Sequence, residues 1–276
     1  MKPAAFQYVR ARNVAEAAAL LAEGAGTTRL LAGGQSLGPT LNLRLARPDR
    51  LVDLKRAEGM RTLATDDAVF SLGAGWTHAE IEDGAVEDPT LGLLRHVAHG
   101  IAYRAVRNRG TIGGSLAHAD PAADWVSTVV GLNAALVAEA PGGRRRRIAA
   151  HAFFRGAFAT ELANDEVLVA VEFPRLSPQS QWGYYKLCRK TGEFAKAIGI
   201  AVLDPSVGLA TVIAGAVEGS PIPLPETATR LCDAGAPTAI AMVSDEAEVK
   251  LAHLPQQERA VHVVAVRRAL QQLASG

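Results

Sequence analysis

The sequence predicts an α+β fold in three parts, on three observations. Short apolar runs alternate with helix-period segments through the first half, paired glycines interrupt them at turns, and the stretch after residue 175 changes to consecutive strands followed by two helices. A length of 276 residues, at a prior of about 150 residues per domain, leaves room for roughly two domains and a small third. Apolar residues at 49% and charged residues at 21% suit a chain that buries a sizeable core, which excludes intrinsic disorder. The expected units are a first subdomain over 1–55, a second over 56–175 and a C-terminal α+β domain over 176–276.

In chain order, residues 6–9 read as a strand and 14–21 as a helix closed by Gly24 and Gly26. Residues 29–32 form a buried strand that runs into Gly33 and Gly34, followed by a short helix over 40–45 and a strand over 51–54. Beyond residue 57 come a strand over 68–72 and helices near His78 and over 91–98. A helix over 122–132 leads to a hairpin of strands, 134–139 and a return around Arg147 and Ile148, turned by Pro141, Gly142 and Gly143. The basic run Arg144 to Arg147 reads as a solvated edge that discourages aggregation. A strand over 166–173 and a polar linker over 176–180 precede three strands, 182–187, 197–203 and 208–217. Of the two helices that follow, the last spans 257–273 with an apolar stripe at Val261, Val264, Ala265 and Leu270.

The 29 basic and 28 acidic residues nearly cancel, so neither nucleic acid nor an anionic membrane surface has an electrostatic case. The N-terminus lacks an apolar signal region, and no run approaches the ~18 uncharged apolar residues of a spanning helix, which makes the cytoplasm the expected compartment and membrane insertion unexpected. Cys188 and Cys232 make neither a disulfide framework nor a four-thiolate cluster and read as two buried thiols.

Two glycine motifs echo one another: Gly33, Gly34, Gln35, Ser36 and Leu37 in the first, Gly113, Gly114, Ser115 and Leu116 in the second. Glycine permits positive φ and close approach of a ligand to the backbone, and consecutive exposed N–H groups make an anion site. Each motif alone is more often just a tight turn. Two together suit a diphosphate gripped from two sides. Neither is a dinucleotide fingerprint or a Walker loop, which disfavours a parallel-sheet NAD domain.

The segments 30–54, 106–124, 166–174 and 184–201 resemble the FAD-binding medium subunit of molybdenum hydroxylases, the xanthine dehydrogenase and aerobic carbon monoxide dehydrogenase family. The likeness covers essentially the whole chain. It implies a two-subdomain FAD-binding domain of the vanillyl-alcohol oxidase and cell-wall reductase type, plus a C-terminal α+β domain. Leu30, Leu31, Ala32, Gly33, Gly34, Gln35, Ser36 and Leu37 match the first FAD loop, with Ala32 to Ser36 facing the diphosphate. Thr111, Ile112, Gly113, Gly114 and Ser115 match the second. By the same resemblance Ile101 lies against the isoalloxazine ring, Asp124 contacts the nucleotide side, Leu168 is an apolar contact, Lys186 is a cation near the flavin, and Phe194 is a lid on the segment 190–196. Asp124 also reads as a helix cap, and Lys186 as a solvated strand residue. His118 is placed near adenine or ribose rather than on a metal, and His96 and His99 read as a partly exposed pair rather than zinc ligands.

Related oxidases with tethered flavin place a histidine after the paired glycines. Gln35 stands there, so non-covalent FAD is expected. No catalytic residue and no metal ligand is assigned to this chain, because the flavin carries the chemistry. The resemblance places [2Fe-2S] clusters in a small partner subunit and molybdopterin in a large one, in a dimer of heterotrimers, with electrons leaving through FAD to NAD, a quinone or another acceptor. Two rival readings are a stand-alone flavin-dependent reductase or oxidase of the same fold, and a binding module whose glycine motifs are only turns.

Overall fold

The computed structural model describes residues 2–24 and 26–274. The first stretch holds β1 (Gln7–Arg10), α1 (Val14–Glu23), β2 (Thr28–Leu31), α2 (Leu37–Asn42) and β3 (Arg50–Asp53). Its three strands form a parallel sheet in the order β1-β3-β2. Helix α1 starts where Asn13 accepts a hydrogen bond from the Glu16 amide, and it buries Val14, Ala17 and Ala18.

Next come β4 (Leu63–Thr65), β5 (Val69–Gly73), α3 (His78–Glu82), α4 (Leu93–Gly100), α5 (Arg104–Arg107), α6 (Ile112–His118), α7 (Asp124–Gly131), β6 (Ala135–Ala140), β7 (Arg144–Ala149), α8 (Ala150–Phe153), β8 (Phe154–Gly156), β9 (Ala159–Thr160) and β10 (Val167–Pro174). The order β4-β5-β10-β6-β7 makes an antiparallel sheet with the well-buried β10 at its centre. The predicted hairpin is present, with Ala140 opposite Arg144. Its arginines lie on the exposed edge, and Arg145, Arg146 and Arg147 pair with Glu139, Glu166 and Glu172.

The last stretch holds β11 (Gln181–Leu187), β12 (Ala197–Asp204), β13 (Leu209–Gly215), β14 (Ile222–Pro223), α9 (Pro225–Lys250) and α10 (Gln256–Ala274), with the strands in sequential antiparallel order. Helix α9 breaks at Gly235, ahead of Pro237, which cannot donate to the preceding turn.

Helix α7 joins these parts. It packs on β12 and β13, and all eight of its residues are buried, the polar Asp124, Ser127 and Thr128 included. Burial of Val126 and Val129 contributes about 2 kcal/mol each. One apolar cluster runs from α1 through β5, α7 and β10 to β12, and a second lies between the last sheet and helices α9 and α10.

The structure departs from the expected elements at four places. The short helix after the first glycine motif spans Leu37–Asn42 rather than 40–45, so it starts directly out of the glycine turn. Gly113 and Gly114 lie inside α6, not in a loop. Val264 is 44% exposed, and the buried stripe of α10 is His262, Ala265, Val266, Ala269, Leu270 and Leu273. Cys232 is exposed and Cys188 only half-buried, so they are not two buried thiols. Among the described residues no helix is long and apolar enough to cross a membrane.

Candidate FAD site

Strand β2 ends at Leu31, and the chain turns through Ala32 to Ser36 before α2. Gly34 makes this turn at φ 71°, in the left-handed region that favours glycine. The amides of Gly33, Gly34, Gln35 and Ser36 make no hydrogen bond within the described residues, while the Gly34 carbonyl accepts from the Gly38 amide at 2.9 Å. Four consecutive open N–H groups are an anion cradle. The Gln35 side chain is turned back on its own loop, its Nε2 donating to the Gly33 carbonyl at 3.1 Å.

The second motif is built differently. Thr111 caps α6, its Oγ1 accepting from the Gly114 amide at 3.1 Å. The Ile112 amide donates to Trp76, the Gly113 amide to Ala74 and the Ser115 amide to the Thr111 carbonyl, each at 3.0 Å. All four amides are thus committed within the protein. This corrects the expectation of two equivalent backbone cradles: the first motif is open and the second closed. Glycine at 113 answers to packing, since a Cβ there would lie 2.3 Å from the Ala74 Cβ. The two motifs also pack together. A Cβ on Gly33 would stand 2.1 Å from the Arg109 carbonyl oxygen, and one on Gly114 3.3 Å from the Ala32 Cβ.

Between them opens a cavity of about 590 Å³, within the range of small-molecule sites. Of the residues singled out in the sequence, it is lined by Leu30, Ala32, Gly33, Gly34, Gln35, Ser36, Leu37, Ile101, Thr111, Gly113, Gly114, Ser115, Asp124, Leu168, Lys186 and Phe194. Leu31 and Ile112 do not line it; Ile112 is wholly buried in the core. His118 lines it beside Phe158, their rings 5.1 Å apart.

Asp124 and Lys186, read separately in the sequence, meet in the wall. The Lys186 Nζ donates to Asp124 Oδ2 at 2.9 Å and to the Gly100 carbonyl at 3.2 Å, and the Tyr184 hydroxyl donates to Asp124 Oδ1 at 2.7 Å. Burial raises the Asp124 carboxyl above its ordinary range, against the pull of Lys186 and the Tyr184 hydrogen bond. Burial and the neighbouring carboxylate push the Tyr184 phenol well above 10. Asp124 begins α7 but makes no side-chain cap, and Lys186 is one-tenth exposed, so neither structural alternative applies. The contact also means that both serve one end of the cavity.

Sequence reasoning missed the residues behind this wall. Arg107 clasps Glu82 with two hydrogen bonds, at 2.7 and 3.0 Å. It also donates to the carbonyls of Ile101 and Ala102, the latter at φ 43°. Arg107 thereby fixes the turn that presents Ile101. His96 lies between the rings of Trp182 and Tyr184, and His99 bonds Glu82 at the surface.

His78, also missed, lines the cavity and is buried. Its Nδ1 accepts from Trp125 Nε1 at 3.0 Å, and burial with nearby Arg107 lowers its pKa from 6.5 to about 4. The capping box Thr77 to Glu80 fixes the first turn of α3 and with it the place of this ring, but nothing in that motif marks a cavity residue. A histidine whose pKa is depressed by folding contributes stability above its unfolded pKa, and this is lost as pH falls through the folded value. Urea denaturation should therefore show a loss of roughly 3 kcal/mol between pH 6.5 and pH 4 attributable to this group, missing from His78→Gln.

At the rim, Gly192 sits against the Tyr103 ring, Glu193 pairs with Arg189 and Lys190, and Phe194 is 68% exposed.

The class of protein follows from a match to the FAD binding domain in molybdopterin dehydrogenase over residues 4–176. The chain belongs to that family: it is an FAD-binding medium subunit of a molybdopterin-dependent oxidoreductase. It is similar to the carbon monoxide dehydrogenase medium chain of Hydrogenophaga pseudoflava, 38% identical over 203 residues, which are 74% of this chain and 70% of that one. It is 37% identical over 206 residues to the 6-hydroxypseudooxynicotine dehydrogenase complex subunit alpha of Paenarthrobacter nicotinovorans, covering 74% of this chain and 69% of that one. Among solved structures, the carbon monoxide dehydrogenase from Hydrogenophaga pseudoflava that lacks the Mo-pyranopterin moiety matches with a TM-score of 0.89 and 31% identity, over 100% of this chain and 99% of the other. The residues fit the cofactor. An elongated cavity group with one dianionic bridge suits a site with a single open amide cradle and apolar walls at Ile101 and Leu168.

Proposed function

We propose that this chain passes electrons from [2Fe-2S] clusters of a small partner subunit, through non-covalently held FAD, to NAD, a quinone or another acceptor. The organic substrate is oxidised at a molybdopterin centre in a large partner subunit, and the assembly is a cytoplasmic dimer of heterotrimers. The observation that carries this reading is the open amide cradle of Gly33 to Ser36 in a cavity whose charged pair, Asp124 and Lys186, is committed to itself. Such a site suits a cofactor with a diphosphate bridge.

Bound FAD supplies two-electron storage that fills and empties singly or in pairs. The chain's residues provide the setting. The cradle amides hold the diphosphate, the hydroxyls of Thr111 and Ser115 border it, and Ile101 and Leu168 keep water from the ring. The Gln35 amide, spent on the Gly33 carbonyl, forms no covalent tether. Asp124 holds the Lys186 ammonium at one end of the cavity. Phe194 covers the rim.

Two experiments test this. Co-purification from the native source should return this chain with an iron–sulfur subunit and a molybdopterin subunit; recovery of the chain alone with full turnover of an organic substrate contradicts it. Phe194→Ala should leave FAD content unchanged and alter the rate of reoxidation by the acceptor in stopped-flow absorbance at the flavin band. Identical reoxidation kinetics remove Phe194 from the rim role.

A further inference from the structure

His78 has one ring nitrogen whose use the protein does not explain. Its Nδ1 accepts the Trp125 indole proton at 3.0 Å, and an indole N–H only donates, so the ring proton of the neutral imidazole is on Nε2. That Nε2–H has no acceptor among the described residues. This nitrogen is not one of the fully enclosed unpartnered polar atoms of the described residues; it opens on the cavity, where a bound group can accept its proton. The ring stands behind Gly110, where a Cβ would meet Nε2 at 2.8 Å, and it lines the cavity. The backbone places it between the two glycine motifs: the His78 amide donates to the Gly110 carbonyl at 2.9 Å, and Thr77 pairs with Thr111.

We propose that His78 is a neutral hydrogen-bond donor of the cofactor site, its Nε2–H directed at an acceptor oxygen of the bound flavin dinucleotide next to Gly110, with Trp125 as the positioning residue that fixes its tautomer. The inference rests on FAD occupying this cavity. A neutral donor orients an oxygen without adding charge. The cation of the site stays at Lys186, and Arg107, the charge acting on His78, is spent on Glu82 and two carbonyls. Unlike the open amides, this donor approaches from α3, so it selects among dinucleotide conformations as well as adding affinity.

The test titrates FAD into deflavinated full-length chain and follows flavin fluorescence. Because His78→Leu alone would strand the buried indole N–H, the comparison is made in the Trp125→Phe background. There, adding His78→Leu is expected to weaken FAD binding by about tenfold, and adding His78→Gln, whose amide nitrogen reaches the place of Nε2, to restore it to within about threefold. Equal affinities with histidine and leucine at this position overturn the proposal. Should Trp125→Phe fail to fold, the wild-type chain labelled with 15N-histidine decides. The signal absent from His78→Gln should report a protonated Nε2 at pH 7 and move downfield in the proton dimension on adding FAD, and a resonance that FAD leaves in place overturns the proposal. If the wild-type chain takes up no FAD at all, it is the occupancy of the cavity that fails, a result distinct from either of these.

Discussion

Gly33→Val is expected to leave the chain without FAD. The Cβ of any residue at 33 would stand 2.1 Å from the Arg109 carbonyl oxygen and 2.7 Å from its carbon, and both are backbone atoms that no rotamer change moves aside. Accommodating the valine requires the first motif to back away from the 109–110 turn, which opens the cradle and displaces Gly34 from the φ of 71° that aims its neighbours' amides. Overpacking of this kind costs about 1–3 kcal/mol of stability, and binding suffers more than folding, because the open amides act together only while the turn holds. The ratio of flavin to protein absorbance in purified Gly33→Val should fall to background. Gly114→Val should act through a different contact, pushing on the Thr111 hydroxyl 2.9 Å from its Cβ and so uncapping α6. Wild-type flavin content in the Gly33 variant would disconnect this contact from cofactor binding.

Lys186→Met should produce the largest loss of folding stability. Asp124 and Lys186 are each at most one-tenth exposed, and removing one partner of a buried pair strands the other charge. A loss on the order of 3 kcal/mol is expected, a fall in Tm of about 5 °C for a chain of this size. The effect has a direction in pH. Folding raises the Asp124 pKa, so this group's contribution is fully present below its unfolded pKa and is lost as pH rises through the folded value. Without Lys186 that folded value rises further. Lys186→Met should therefore be most destabilised at neutral pH and recover toward wild type as pH falls and Asp124 takes up its proton. Asp124→Asn combined with Lys186→Met should be more stable at pH 7 than Lys186→Met alone. A pH-independent deficit would show that packing of the lysine stem, rather than its charge, is what is lost.

The sequence pattern was sufficient for elements that are continuous apolar runs bounded by turn residues, such as β10, and for the β6–β7 hairpin with its Pro-Gly-Gly turn. It failed where tertiary contact decides. Val264 has the spacing of a core residue, yet the stripe of α10 is rotated toward His262 and Ala269 by the close approach of the last sheet. The residue types of the two glycine motifs pointed to one cavity, and their spacing along the chain carried no information that one is an open turn and the other a capped helix. That difference arises from Trp76 and Ala74, whose carbonyls take the amides of Ile112 and Gly113. Asp124 and Lys186 were each visible as a charge in an apolar stretch, but 62 residues of separation hid their contact. Arg107 acts from behind the wall through backbone carbonyls and His78 lines the cavity with its tautomer fixed by Trp125, and no local motif announces such roles.

The account rests most heavily on the diphosphate of FAD lying on the amides of residues 33–36. Amide hydrogen exchange of the full chain with and without FAD tests this directly, because an open amide gains protection when a ligand bonds it and an amide already bonded gains little. Slowing at Gly33, Gly34, Gln35 and Ser36 upon FAD addition, with Ile112 and Gly113 nearly unchanged, is the predicted outcome. Slowing confined to residues 112–115, with the first turn exchanging as freely as before, would contradict it.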